Sequence, residues 1–325
     1  MSTSVQPAAA PKRVLVVGLG RAGKSWVGDG LALAGDVEHV DEPDNHFLVP
    51  FALRAKRQLD QRFYPDPESA RATSDYEALW AHAYGMLDRR TRSPTRDWAA
   101  RVLLRGDGDR VARRLALPQR TARSLSGERG VPLRLRFAEA IACPMEPASR
   151  SSRIVASSAY AQLAAGWIAA RFDARIVVVR RDPESLFATW LQQGWITTAD
   201  PCREIDPRIL DSFVERLGIP LPDANAPAEE RAAWLIGFLG WHLERTGKDR
   251  ATAVVQYEDF VANPHESFAR LAGRLGLGWS DDADRALAAR AQSARRKATL
   301  RPRLADDRLR TVLHETLGRF ALAQS

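Results

Sequence analysis

The stretch from Val14 to Trp26, VLVVGLGRAGKSW, constrains the fold more than any other part of the chain. Its apolar start, Val14 to Val17, is typical of a buried β-strand, and Gly18, Gly20 and Gly23 follow at once. In a strand–turn–helix unit of this kind, the backbone N–H groups of the turn and the positive end of the helix point at an anion. The stretch therefore predicts a phosphate or sulfate site. The alternative is an ordinary corner that binds nothing.

The glycines fit three phosphate-binding patterns. Gly18, Gly20 and Gly23 match GxGxxG of a dinucleotide site, and Gly18 with Gly23-Lys24-Ser25 matches GxxxxGK(S/T) of a P-loop. The stretch also resembles GxPRSGTTW of the sulfotransferases that use 3'-phosphoadenosine-5'-phosphosulfate (PAPS). In that comparison four residues match and four replace Pro, Ser, Thr and Thr: the matches are Gly18, Arg21, Gly23 and Trp26, and the replacements are Gly20, Ala22, Lys24 and Ser25.

Composition favours an anionic partner and a reducing compartment. The net charge is +8, and its excess is concentrated between Arg89 and Arg136, where fourteen arginines stand against four acids. Nucleic acid is disfavoured, because this stretch lacks interleaved aromatic residues for base stacking. The two cysteines, Cys143 and Cys202, form no disulfide framework or metal pattern. With no signal sequence and no membrane-length apolar run, we expect a cytoplasmic protein.

Apolar strands alternate with helical patterns, which is typical of a parallel sheet with crossover helices. We expect a three-layer α/β fold with a P-loop-like phosphate-binding loop. Residues 1–12 are expected to form a disordered tail, and 13–325 one domain with a helical, Arg-rich lid inserted at about 64–152. The predicted strands are Val14–Val17, Val37–Val40, Arg153–Ala156, Ile176–Val179 and Ala253–Tyr257.

The fourth strand ends in Arg180-Arg181, and Asp182 is predicted to be the N-cap of the helix after it. Arginine at the carboxyl end of a strand suits a second phosphate group. A nucleotide triphosphatase needs an Asp at such a place to hold Mg²⁺, and no predicted strand clearly ends in one. The alternative is that both arginines only flank the strand at the surface.

Three later segments resemble the same sulfotransferase family. Its 3'-phosphate motif, a strand, an Arg and a Ser eight residues later, is matched by Arg181 and Thr189. Its YED segment, whose Tyr lies near the adenine, is matched by Tyr257-Glu258-Asp259. Its Arg-Lys-Gly is approximated by Arg296-Lys297-Ala298. The sequence departs from the family at Ala156, where relatives often carry a Lys.

The segment HVDEPDNHF resembles the EP segment of carbohydrate sulfotransferases, where a Glu is the catalytic base. That resemblance assigns the base to Glu42, which also follows a strand and so stands beside the glycine loop. The alternatives are a turn acid at Glu42 and, for Asp41, the ribose-binding acid of a dinucleotide fold. His39 and His46 flank the segment and rank below Glu42 as bases.

The resemblance implies transfer of a sulfuryl group from PAPS to a hydroxyl or amine, leaving adenosine 3',5'-bisphosphate, with no metal. The acceptor would be a small molecule or a glycan, anionic if the Arg-rich lid forms one wall. Glu42, Arg21 and Lys24 would be catalytic. The cofactor-binding residues would be Gly20, Arg21, Ala22, Gly23, Lys24, Ser25, Trp26, Arg181, Thr189, Tyr257, Arg296 and Lys297.

Three rival hypotheses remain. A P-loop kinase would explain Gly23-Lys24-Ser25 but needs an Mg²⁺ acid. An NAD-binding oxidoreductase would explain GxGxxG with Asp41, yet leaves Lys24-Ser25 and the Arg181–Thr189 spacing unexplained. A non-enzymatic protein would use the basic lid to dock on an anionic membrane or partner.

Overall fold

The computed structural model describes residues 12–59, 63–70, 73–86, 133–145, 147, 153–299 and 304–322. The predicted tail, apart from Lys12, and residues 87–132 of the predicted lid lie outside the described residues.

A central sheet of parallel strands runs through the described residues. The strands are β1 (Arg13–Val17), β2 (Val37–Asp41), β3 (Arg153–Ser158), β4 (Ala174–Arg180) and β5 (Ala251–Gln256). Their order across the sheet is β2-β3-β1-β4-β5, so β1 is central, with Val17 opposite both Ser158 and Val178. Each predicted strand is present, and the parallel α/β fold is confirmed.

Helices connect the strands and continue to the end of the described chain. None of those described is long and apolar enough to cross a membrane. Their bounds are α1 (Lys24–Leu31), α2 (Pro50–Gln58), α3 (Ser74–Ala83), α4 (Leu133–Ile141), α5 (Ala165–Phe172), α6 (Pro183–Gln192), α7 (Pro201–Glu204), α8 (Pro207–Leu217), α9 (Ala228–Asp249), α10 (Tyr257–Ala262), α11 (Pro264–Leu275), α12 (Asp281–Thr299) and α13 (Asp307–Leu322).

Helices cover both faces of the sheet, which makes three layers. Successive side chains of a strand point to opposite faces, so in β1 Leu15 and Val17 join one apolar cluster while Val14 and Val16 join the other. The first cluster includes residues of α2, α3, α5 and α9, and the second includes residues of α1 and α11. Burial on both faces explains why β1 and β4 are almost continuously apolar.

Helix α3 belongs to the first cluster although its sequence falls in the segment predicted as a lid. Its Tyr76 and Trp80 are fully buried. Asp75 in its first turn forms a bidentate pair with Arg54 of α2, with N–O distances of 2.7 and 2.9 Å. These contacts join α3 to α2 within the first cluster.

Candidate active site

The glycine turn between β1 and α1, residues Gly18 to Gly23, is here called the phosphate loop. It tightens through a hydrogen bond of 2.9 Å from the Ala22 N–H to the Leu19 carbonyl. Arg21 and Gly23 have φ of 70° and 95°, in the left-handed region, where only glycine is unstrained. Because α1 begins at Lys24, the positive end of its dipole faces this loop.

Aromatic side chains pack directly on the glycines of the phosphate loop. A Cβ at Gly20 would lie 2.8 Å from the Trp195 ring, and one at Gly23 would overlap the Tyr257 ring. Trp190 donates its indole N–H to the Gly20 carbonyl at 2.9 Å. A side chain at either glycine would therefore displace an aromatic wall of the site.

Arg181 lies beside the phosphate loop. Its Nη1 donates to the Arg21 carbonyl at 2.7 Å, and its guanidinium lies over the Tyr257 ring, 5.3 Å from the centroid. The fold thus brings together Arg21, Arg181 and Tyr257, which are distant in the sequence. Trp26 packs edge-on against Phe268, with the ring centroids 5.6 Å apart.

The remaining predicted contacts to a 3'-phosphate lie on helices. Asp182 caps α6 as expected, accepting from the Ser185 N–H at 2.8 Å, and the hydroxyl of Thr189 donates to the Ser185 carbonyl at 2.7 Å. The Thr189 oxygen can still accept a hydrogen bond, but its proton is used within the helix. Arg296 and Lys297 lie in the last part of α12, where the side chains are outside the described structure.

Lys24 joins the phosphate loop to the predicted base. Its side chain is almost fully buried, and its Nζ lies 2.5 Å from Glu42 Oε1 and 3.2 Å from Ser25 Oγ. A buried ammonium group needs a partner of opposite charge, and Glu42 is that partner. The sequence predicted roles for Lys24 and Glu42 separately, and the structure brings the two groups into contact.

Glu42 is held in an uncommon backbone conformation. Its φ is 52°, a region few non-glycine residues adopt and one that is often found at functional sites. Its N–H donates to the Ser157 carbonyl at 2.8 Å, and its Oε2 accepts from the Asn45 side-chain amide. The backbone bond and the two side-chain partners fix the carboxylate between the loop and β3.

Strand β2 ends at Asp41, so the expectation that no strand clearly ends in an Asp is wrong. Asp41 Oδ1 accepts from Ser25 Oγ at 2.8 Å and from Ser157 Oγ at 2.5 Å. The strand predicted from the sequence ends at Val40, its last apolar residue, and so leaves Asp41 outside the strand. A Ser after the loop lysine and an Asp on a nearby strand are also the Mg²⁺ partners of P-loop enzymes.

The two histidines that flank this segment differ in their contacts. His39 uses both ring nitrogens, Nδ1 with Asp29 at 2.9 Å and Nε2 with Ser157 at 3.0 Å, so it ties α1 to the sheet. His46 is fully buried, and its Nδ1 accepts from Lys56 Nζ at 3.0 Å.

A buried polar cluster next to Glu42 was not predicted. It consists of Asp44, His46 and Lys56, each with no exposed surface. Lys56 donates to the Phe63 carbonyl at 2.7 Å, and its Nζ lies 4.5 Å from the centroid of the Tyr160 ring. Asp44 accepts from Ser158 Oγ at 2.6 Å. No local motif marks Lys56, which is one of several basic residues in α2.

Burial dominates the electrostatics of this cluster. It lowers the pKa of Lys56 to about 8, against the opposing attraction of Asp44 and Glu42. It also raises the pKa of Asp44 and lowers that of His46 well below its usual value, the latter with help from the positive charge of Lys56. The buried polar cluster behind Glu42 therefore disfavours the charged forms of its side chains.

Several sulfotransferases are among the solved structures to which the chain is similar. It is 15% identical to sulfotransferase STF1 from Mycobacterium tuberculosis H37Rv, over 95% of this chain and 77% of that chain, with a TM-score of 0.41. For sulfotransferase STF9 from Mycobacterium avium the identity is 13%, the coverage 96% and 77%, and the TM-score 0.38. The sulfotransferase domain of the Synechococcus PCC 7002 olefin synthase is 12% identical, over 86% of this chain and 78% of that chain, with a TM-score of 0.35.

No protein-family model and no curated protein matches the sequence. At the low identities to the solved structures, a function has to be inferred from the residues of the site.

Proposed function

We propose that this chain is a sulfotransferase that moves the sulfuryl group of PAPS to an acceptor hydroxyl, or an amine, and releases adenosine 3',5'-bisphosphate. The observation that carries the proposal is the position of Arg181, which contacts both the Arg21 carbonyl and the Tyr257 ring. A cation beside the phosphate loop but outside it suits a nucleotide with a second phosphate group.

The residues present fit the donor. The phosphate loop and the start of α1 direct N–H groups at one anion, and Lys24 adds a charge that is nearly buried. Arg181 would hold the 3'-phosphate, with the oxygen of Thr189 as an acceptor for a protonated phosphate or a water. Tyr257 and Trp26 offer flat apolar surface for an adenine.

PAPS supplies an activated sulfuryl group whose departure leaves negative charge on a phosphate oxygen. Lys24, Arg21 and the N–H groups of the loop would stabilise that charge, as preorganised donors do in related transfers. Glu42 would take the acceptor proton. Its hydrogen bonds with Lys24 and Asn45 orient the carboxylate before the acceptor arrives.

The cluster behind Glu42 would exclude water from this reaction. Asp44, His46 and Lys56 are fully buried, and Phe47, Phe63 and Tyr160 pack around the imidazole of His46. Low solvent access strengthens the attraction between Lys24 and developing charge. The acceptor class that we propose, a small molecule or a glycan, needs only a hydroxyl presented to Glu42.

A second candidate is a P-loop kinase or other nucleotide triphosphatase. The contact of 2.8 Å between Ser25 Oγ and Asp41 Oδ1 favours it, because these residue types hold Mg²⁺ in such enzymes. Arg181 has no required role in kinase chemistry, and we therefore rank the kinase second.

A thermal-shift experiment separates the candidates. Adenosine 3',5'-bisphosphate at ~100 times its dissociation constant should stabilise the protein by about 2.7 kcal/mol, equally with and without EDTA. Stabilisation by ATP only when Mg²⁺ is present, with none from the bisphosphate, would support the kinase. In that case Asp41→Asn should abolish the ATP effect, whereas the sulfotransferase proposal expects Asp41→Asn to retain bisphosphate binding.

A further inference from the structure

A polar groove separate from the phosphate loop is built from α5, α8 and α9. Its volume is about 190 Å³, and Gly166, Arg216, Trp241, His242, Arg245 and Arg250 are among its lining residues. We call it the arginine groove. None of its lining residues belongs to the phosphate loop or contacts Glu42 in the described structure.

Three arginines converge on the groove from different elements. Arg216 of α8 and Arg245 of α9 both lie over the Trp241 ring, with the guanidinium carbons 5.4 and 5.0 Å from its centroid. Arg250 follows α9 and lies against α5, where a Cβ at Gly166 would be 3.0 Å from its Nη1. The absence of a side chain at Gly166 thus leaves room for the guanidinium.

These arginines form no ion pair with a carboxylate among the residues the structure describes, in contrast to Arg180, which pairs with Glu244 of α9. Glu68 and Asp249 also line the groove, but no salt bridge links either of them to the three cations. The N–H donors of Arg216 and Arg245 therefore remain available to a ligand, with Trp241 holding both guanidinium groups in place.

His242 supplies an independent observation. Its Nε2 is buried and has no hydrogen-bond partner in the described structure. Burial, followed by the positive charges of Arg216 and Arg245, lowers the pKa of His242 to about 3. A buried polar atom without a partner is destabilising and calls for an explanation, such as a ligand that completes its hydrogen bonding.

We infer that the arginine groove binds a tetrahedral oxyanion, a sulfate or phosphate group, either free or as the monoester end of a larger molecule. Guanidinium forks match the oxygens of such groups, and His242 lines the groove with a ring nitrogen that has no partner in the described structure. The volume of 190 Å³ is below the roughly 300–1,000 Å³ of typical ligand pockets. The groove therefore suits one anionic group, with any remainder of the molecule in solvent.

Titration calorimetry tests the inference with sodium sulfate, sodium phosphate, glucose 6-sulfate and glucose 6-phosphate, at an ionic strength held constant with chloride. The double variant Arg216→Gln/Arg245→Gln should weaken binding at the groove by about 10-fold or more. A matched control, Arg270→Gln/Arg285→Gln, removes two exposed arginines elsewhere and should change nothing. Tighter binding of the esters would identify the end of a larger molecule as the ligand, and equal binding a free ion.

Anions will also meet the phosphate loop, so each titration is repeated in Arg181→Ala. The groove should bind equally well in that background, whether or not the proposed sulfotransferase function holds. The second readout is the pKa of His242 by NMR, which a bound anion should raise in the parent protein and leave unchanged in the Arg216→Gln/Arg245→Gln variant. Identical anion binding in that variant and the control, or a His242 pKa unmoved by saturating sulfate, would overturn the inference.

Discussion

The two sides of the candidate site are built differently. On the proposed nucleotide side, the phosphate loop would bind through backbone groups set by glycines, and Arg181 and Tyr257 pack on that backbone. On the proposed acceptor side, Glu42 is held by side chains from several segments. These are Lys24 and Asn45, with the buried polar cluster of Asp44, His46 and Lys56 behind them.

This difference implies different responses to substitution. A backbone site tolerates changes in most side chains but not in its glycines, whereas a network of buried side chains depends on every partner. Substitutions on the acceptor side should therefore act on turnover and on the pH dependence of stability. Those on the nucleotide side should act mainly on nucleotide affinity. Substitutions of Arg21 and Lys24, which meet charge in both the ground state and the transition state, should lower both affinity and turnover.

The largest effect is expected for Glu42→Gln, which keeps the shape of the side chain but removes the base. Release of adenosine 3',5'-bisphosphate from PAPS in the presence of an acceptor should fall by roughly 10²- to 10⁴-fold. Affinity for the bisphosphate should stay near that of the parent, since Glu42 lies on the acceptor side.

Glu215→Gln, an exposed position on α8, is the matched control and should keep full turnover. If Glu42→Gln were active while His46→Gln or His39→Gln were inactive, the base would be a histidine. The two sides of the site would still be distinct, but Glu42 would only position Lys24.

A second effect concerns Glu204, whose carbonyl accepts from the Phe63 N–H at 2.9 Å beside the buried cluster. Burial raises the pKa of Glu204 from 4.5 to about 8. The protonated Glu204 carboxyl therefore stabilises the folded protein. This contribution is fully present below the unfolded-state pKa of 4.5 and is lost as the pH rises through the folded-state pKa of about 8. Glu204→Gln mimics the neutral acid, so this loss should disappear.

Urea unfolding of the parent and Glu204→Gln between pH 4.5 and 8 measures this contribution. The difference in unfolding free energy should shift in favour of the variant, by on the order of 3 kcal/mol at pH 7 relative to pH 4.5. A difference that does not vary with pH would show that Glu204 is ionised in the folded protein and that the acceptor side tolerates charge.

A third effect tests the nucleotide side through Arg181→Ala. Loss of a charge-assisted contact worth about 1.5–3 kcal/mol should weaken adenosine 3',5'-bisphosphate by roughly 10- to 150-fold. Adenosine 5'-monophosphate, which lacks the 3'-phosphate, should bind almost as before. Calorimetry with both nucleotides distinguishes a contact to the 3'-phosphate from support of the loop through the Arg21 carbonyl, which would weaken both equally.

The local structure of the phosphate loop was largely predictable from the sequence, and the contacts around Glu42 were not. Strand β1, its glycines and the Asp182 cap are local signals, because each depends on residues within a few positions of one another. The contact between Lys24 and Glu42 joins α1 to the residue that follows β2, and Lys56 is buried in contact with His46 and the Phe63 carbonyl. Contacts between distant segments leave no local pattern in the sequence, so the burial of Lys56 could not be predicted. Asp41 was misjudged for a related reason, since the end of a strand is its least certain part.

The smallest effect is expected for Thr189→Val. The family resemblance assigns the Thr189 hydroxyl to the 3'-phosphate, yet in the structure this hydroxyl donates to the Ser185 carbonyl. Its proton is already used, so it can offer a phosphate only an acceptor oxygen. Valine keeps the volume of this almost buried side chain, and we expect a loss of bisphosphate affinity of less than about 10-fold, with adenosine 5'-monophosphate unaffected. A loss as large as that of Arg181→Ala would mean that the Thr189 hydroxyl rotates towards the ligand. Thr189 would then contribute as much to nucleotide binding as Arg181.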